Sequence, residues 1–168
     1  MRLRGAIIVA CACALLASCG GEKRSAEPDD MIEPERGKSA EIWLRATDHT
    51  EPALWLARRE AGDAVSERDP SVERIRSALA SARAHFLESY RMLANRTAQV
   101  GEMLATDGHP EGFAQLISSL VDVAASAGQK QTYGELCQHY YNLRHSGIER
   151  DAALHMLASR YSTQRQFR

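Results

Sequence analysis

The sequence lacks several features that would narrow its function at once. No run of alternating β-branched residues predicts a strand, so its periodic segments are helical. It has no GxSxG, SxxK or HExxH motif and no phosphate or dinucleotide loop, and no CxxC pair follows residue 19. Basic and acidic residues are nearly balanced, 21 against 22, which argues against binding to nucleic acid. These absences favour a helical, non-enzymatic protein, although they do not exclude an enzyme.

The longest apolar run is short and lies at the N-terminus. It extends from Ala6 to Leu16, follows the positively charged Arg2 and Arg4, and ends in small residues. A bilayer-spanning helix needs about 20 apolar residues, so this run is too short for a permanent anchor. A charged start, an apolar run and small residues in this order predict a removable export signal over residues 1–18.

The residues Leu16-Ala17-Ser18-Cys19 make this signal more specific. They resemble the lipobox of bacterial lipoproteins, and the resemblance covers only the first 19 residues. It implies that Cys19 is diacylated on sulfur and becomes the N-terminus once the signal is cleaved. Two or more acyl chains anchor a protein stably where one chain does not. Because Gly20 rather than Asp follows the cysteine, the family rule implies the periplasmic face of the outer membrane rather than the inner membrane.

The part of the chain after the lipobox divides into a linker and a domain. Residues 19–39 are rich in charge, Gly and Pro and have too few apolar residues to form a core, which predicts a flexible linker. A helical domain is predicted over residues 40–168. Its only cysteine is Cys137, so no intramolecular disulfide can form once Cys19 is acylated. The apolar core must therefore stabilise this domain.

Apolar spacing and capping residues predict an all-α domain, a compact bundle of about five helices. Two short helices, about 40–47 and 51–61, come first, and they carry Trp43 and Trp55. The two tryptophans are either core anchors or part of a surface that meets the lipid interface or a partner. Three later helices are predicted to begin at Pro110, at the capping box Thr132-Tyr133-Gly134-Glu135 and near Glu149.

One long helix is predicted between the start signal Asp69-Pro70 and the stop signal Thr106-Asp107-Gly108. Its apolar residues keep nearly heptad spacing: Val72, Ile75, Leu79, Ala82, Phe86, Leu93 and Val100. A rod of thirty-odd residues is roughly 50 Å long, more than one shorter helix can cover. Val100 and Met103, near its end, are therefore candidates for a partner surface. The alternative is that the stripe packs against other helices of the same domain.

The densest group of reactive side chains lies near the C-terminus. Cys137, Tyr141 and His145 are spaced four apart on one predicted helix, and His155 lies on the next. A thiolate and imidazoles could bind a transition metal, or Cys137 could be a nucleophile. Buried free cysteine usually behaves as a small hydrophobe, so we expect a structural Cys137 and no metal site.

Together these patterns predict a lipid-anchored, periplasm-facing envelope protein that acts as an interaction or accessory module for another envelope component. No cofactor is expected beyond the covalent lipid on Cys19. One alternative is a periplasmic enzyme or metal site that uses Cys137 and the nearby histidines. Another is a small-ligand binder, in which Glu88, Arg91 and Arg96 could hold a carboxylate group.

Overall fold

A computed structural model describes residues 43–164. The predicted signal, Cys19 and the linker lie outside the described residues. Within that range the chain forms six helices: α1 (Pro52–Ala61), α2 (Pro70–His85), α3 (Tyr90–Thr106), α4 (Phe113–Ala125), α5 (Tyr133–His145) and α6 (Arg150–Gln164). No strand occurs between residues 43 and 164, which confirms the predicted all-α class. None of the described helices combines the length and the apolar character that crossing a membrane requires.

The helices pack around one apolar core. α2 contacts α1, α3 and α4, while α5 contacts α3 and α6, and α4 also packs on α6. Every residue of the predicted apolar stripe, from Val72 to Val100, is buried. The largest fully buried side chains include Tyr133, Tyr140, Phe86, Leu56, Ile75 and Leu93. The stripe is therefore covered within the domain from Val72 to Val100.

The structure contains two helices where the sequence predicted one long helix. α2 ends at His85, and residues 86–89, the α2–α3 corner, connect it to α3. The prediction was wrong because Ser89, which interrupts the apolar stripe, is a helix N-cap. Its hydroxyl accepts a hydrogen bond from the backbone N–H of Met92 at 3.4 Å.

Backbone pairing with a distant segment holds the α2–α3 corner in place. The N–H of Leu87 donates to the carbonyl of Gln131 at 3.1 Å, and the N–H of Gln131 donates to the carbonyl of His85 at 2.9 Å. Phe86 is fully buried, and its ring lies edge-on to Tyr133 with the centroids 4.7 Å apart. The corner is thus anchored by a core aromatic pair and by two backbone hydrogen bonds.

Carboxylates from other elements cap two helix N-termini. The capping box predicted from Thr132 onward does not form, because the side chain of Thr132 makes no hydrogen bond to the first turn of α5. Instead, Glu88 of the corner accepts from the N–H of Gly134 at 3.1 Å. Likewise, Glu60 of α1 accepts from the N–H of Phe113 at 2.7 Å. A carboxylate at a helix N-terminus satisfies a free backbone donor and interacts favourably with the helix dipole.

The structure also differs from the prediction at one short helix and at the start of another. The helix predicted over 40–47 is absent from its described part, because residues 43–47 form a bend and a turn. α4 begins three residues after Pro110, at Phe113, where the remote carboxylate of Glu60 supplies the cap.

Candidate partner surface and buried polar clusters

A side-chain clamp on Leu44 determines where Trp43 lies. Asn95 of α3 donates from Nδ2 to the carbonyl of Leu44 and accepts at Oδ1 from its N–H, both at 2.9 Å. Leu44 is buried in the core by this arrangement. Trp43, the residue before it, lies on the surface. Its side chain is 46% exposed.

Two shallow grooves flank Trp43 and follow α3. The first has a volume of about 360 Å³ and the second about 240 Å³. We call them together the α3 groove, whose principal lining residues are Trp43, Met92, Asn95, Arg96, Gln99 and Met103. Tryptophan, methionine and arginine are enriched in protein–protein interfaces. The groove therefore has a composition suited to binding another protein.

Two residues predicted for a partner surface do not lie on it. Val100 and Trp55 are both buried, because Val100 faces the core from α3 and Trp55 faces it from α1. The Trp55 ring is also covered by the guanidinium of Arg59, 5.1 Å from the ring centroid. Of the predicted surface residues, Trp43 and the half-buried Met103 border the α3 groove.

Cys137 lies in the core of the domain and is fully buried on α5. Burial raises the pKa of its thiol to about 12. The thiolate is the reactive form of cysteine, so this environment keeps the side chain unreactive near neutral pH. Beside it, the hydroxyls of Tyr133 and Thr97 share a hydrogen bond of 2.8 Å inside the core.

The structure does not bring Cys137, His145 and His155 together. Both histidines are exposed, and His145 pairs with Asp107 at 2.8 Å. Eight residues along an ideal helix rotate a side chain by about 80°, so Cys137 faces the core while His145 reaches solvent. Among the described residues, no group of three His, Cys, Asp or Glu side chains could hold a metal ion.

The carboxylate-binding group suggested for Glu88, Arg91 and Arg96 is not assembled either. Glu88 caps α5, as described above. Arg91 donates to the carbonyl of Leu44 at 3.4 Å, and Arg96 donates to the side chain of Gln99 at 2.6 Å. Each group is engaged within the protein, although Glu88 and Arg96 still border the α3 groove.

A buried charged cluster around Glu111 was not predicted from the sequence. Its carboxylate is 5% exposed and accepts a hydrogen bond from the hydroxyl of Tyr140. Two guanidinium groups pair with it, Arg150 at 3.4 Å and the buried Arg144 at 3.6 Å. Burial, together with the adjacent carboxylate, raises the pKa of Tyr140. The cluster joins the segment before α4 to α5 and α6, and its members are too far apart in sequence to form a motif.

Comparison with known proteins identifies the family of the helical domain. The family model described as MoxZ matches residues 53–162, from the beginning of α1 to near the end of α6. Searches of curated proteins and of solved structures found no match. The family match extends over more than half of the sequence and over all six helices. The chain therefore belongs to the MoxZ family.

Proposed function

We propose that the chain is a lipid-anchored accessory protein of the bacterial envelope, which docks on another envelope protein through the α3 groove. Membership of the MoxZ family supports an accessory role in a methanol-oxidation-related system. The lipobox ending at Cys19 supports an address on the periplasmic face of the outer membrane. The proposed role is non-catalytic and needs no cofactor beyond the lipid on Cys19.

The exposure of Trp43 is the main observation that supports docking through the α3 groove. Nearly half of this large apolar side chain meets solvent, next to the exposed Met92. Covering apolar surface contributes about 25 cal/mol per Å², so a partner that buries Trp43 gains free energy. Tryptophan is also among the residues that most often dominate binding energy at interfaces. The amide of Gln99 lies beside it, where it can orient a bound chain.

The α3 groove also has the geometry of a prepared site. The Asn95 clamp fixes the backbone at Leu44, which holds Trp43 next to the rigid surface of a helix. A partner therefore meets side chains that are already positioned, which reduces the entropy lost on binding.

Copurification from detergent-solubilised membranes tests this proposal. Trp43→Ala removes the exposed ring from the α3 groove, and Met156→Ala removes an equally exposed apolar side chain from α6. We expect Trp43→Ala to reduce recovery of the partner at least about tenfold, as a hot-spot residue does. Met156→Ala should leave recovery unchanged. Equal recovery with both variants would contradict docking through the groove.

A further inference from the structure

The α2–α3 corner presents apolar side chains to solvent at a rigid position. Leu87 is 65% exposed, the largest exposed fraction among the large apolar residues described, and the nearby Tyr90 is 47% exposed. The backbone of Leu87 is paired with Gln131, and Phe86 beside it is buried in the core. The exposed leucine is thus held outward by the fold rather than carried on a loose loop.

Cationic side chains surround this apolar tip. The guanidinium of Arg83 lies 5.8 Å from the centroid of the Tyr90 ring and donates to the carbonyl of Leu87 at 3.3 Å. Lys130 donates to the carbonyl of Arg83 at 2.8 Å, so its ammonium belongs to the same surface. The nearby carboxylate of Glu88 turns away to cap α5. Between residues 43 and 164, neither Arg83 nor Lys130 forms an ion pair with a carboxylate.

We propose that the α2–α3 corner binds the surface of a bilayer that contains anionic phospholipids. Leu87 and Tyr90 enter the headgroup layer, while Arg83 and Lys130 attract the lipid phosphates. Tyrosine suits this boundary because its ring is apolar and its hydroxyl can remain hydrated. Each basic side chain near an anionic membrane strengthens binding by about fivefold.

The lipid anchor of the proposed function supports this choice of partner. If Cys19 carries lipid, as that function holds, the domain remains attached to a bilayer surface. Exposed apolar side chains next to cations are the combination that binds such a surface when it contains anionic lipids.

Vesicle flotation tests the proposal without the acyl chains. The protein begins at residue 19 and carries Cys19→Ser; residues 38–168 form a compact unit of their own, so the shortened chain retains it. We expect flotation with vesicles of phosphatidylcholine containing one quarter phosphatidylglycerol, and little with phosphatidylcholine alone. Leu87→Asp should weaken partitioning at least about tenfold, because it places a charge in the apolar layer. Lys130→Glu should weaken it at least about fivefold.

Matched changes on α6 provide the controls. Met156→Asp alters a side chain that is 49% exposed, and Arg160→Glu reverses an exposed charge. Both should float like the parent, and circular dichroism should show that all four variants remain folded. Flotation that does not depend on phosphatidylglycerol would overturn the proposal, as would equal losses at Leu87 and Met156.

A photo-crosslinking residue at position 87 in cells distinguishes a bilayer from a protein partner at the corner. We expect crosslinks to lipid, and a crosslinked protein of defined mass would overturn the proposal. The vesicle result does not depend on acylation of Cys19 or on docking at the α3 groove. The vesicle experiment can therefore succeed or fail independently of the proposed function, which the copurification experiment tests.

Discussion

The close approach of α3 to α4 at Gly101 gives a sharp test of the packing. A Cβ atom at this position would lie 2.5 Å from Cε1 and 3.0 Å from Cδ1 of Phe113. Carbon atoms in contact are about 3.5–4.0 Å apart. Phe113 cannot retreat freely, because its ring is buried and its N–H is held by Glu60. Gly101→Ala must therefore displace the ring or separate the two helices.

Two opposing effects determine the size of the change in stability. Forcing an extra methyl group into a packed core costs about 1–3 kcal/mol. Alanine is favoured over glycine inside a helix by about 1 kcal/mol. The steric cost is the larger, so we expect Gly101→Ala to lower the free energy of unfolding by about 1 kcal/mol. The melting temperature should fall by about 2–4 °C.

Urea unfolding followed by circular dichroism measures this change. Gly134→Ala in α5 is the matched control, because its Cβ would meet no atom nearer than Nε of Arg96 at 3.4 Å. That variant should be as stable as the parent or more so. Adding Phe113→Leu should recover part of the loss caused by Gly101→Ala, since it removes the ring edge. If Gly101→Ala and Gly134→Ala stabilise the protein equally, the result would contradict the close approach of α3 to α4 at Gly101.

Three further predictions concern single side chains. Cys137 of the protein carrying Cys19→Ser should resist thiol reagents at pH 8 until the domain is unfolded. Folding raises the pKa of Cys137 to about 12, so the stability that the buried thiol contributes should be complete below the unfolded-state pKa and be lost as pH rises toward 12. Cys137→Ala should remove this loss at alkaline pH and should itself lower the free energy of unfolding by about 1 kcal/mol. Glu111→Gln should lower the free energy of unfolding by about 3 kcal/mol, because the buried Arg144 loses its buried ionic partner and keeps only the exposed Glu149 at 3.9 Å. No loss of stability in urea unfolding would refute that role. Cys19→Ser should abolish incorporation of radioactive fatty acid, whereas an unlabelled parent protein would refute the lipid anchor.

The fold class and most helices could be predicted because their signals are local. Apolar residues recur at helical spacing, and Asp69 caps α2 as its sequence position predicts. Gly62 ends α1 with a positive φ of 97°, a conformation that favours glycine. Such signals depend on neighbouring residues, so a single sequence contains them.

The end of α2 could not be predicted from periodicity. The four residues of the α2–α3 corner keep the apolar stripe in register, because Phe86 remains in the core on one side and Leu93 on the other. Ser89 then resembles a polar interruption of one helix. Its capping role becomes evident only with the structure of the corner, which Gln131 stabilises from a distant segment.

The candidate surface was harder still to predict from the sequence, because contacts between distant residues create it. Leu44 and Asn95 are 51 positions apart, yet their two hydrogen bonds place Trp43 in solvent. Trp43 and Trp55 occur in similar local sequences, yet Trp43 precedes the clamped Leu44 outside any helix and is exposed, whereas Trp55 lies on the buried face of α1. For the same reason Glu111, 29 positions from Tyr140, gave no local signal of the charged cluster.

Site-specific photo-crosslinking in cells tests the central claim most directly. A photo-crosslinking residue replaces Gln99 in the α3 groove, or Gln138 on the exposed surface of α5 as a control. We predict a discrete crosslinked envelope protein from position 99, lost with Trp43→Ala, retained with Met156→Ala and absent from position 138. No product from position 99, or the same product from both positions, would contradict docking through the α3 groove.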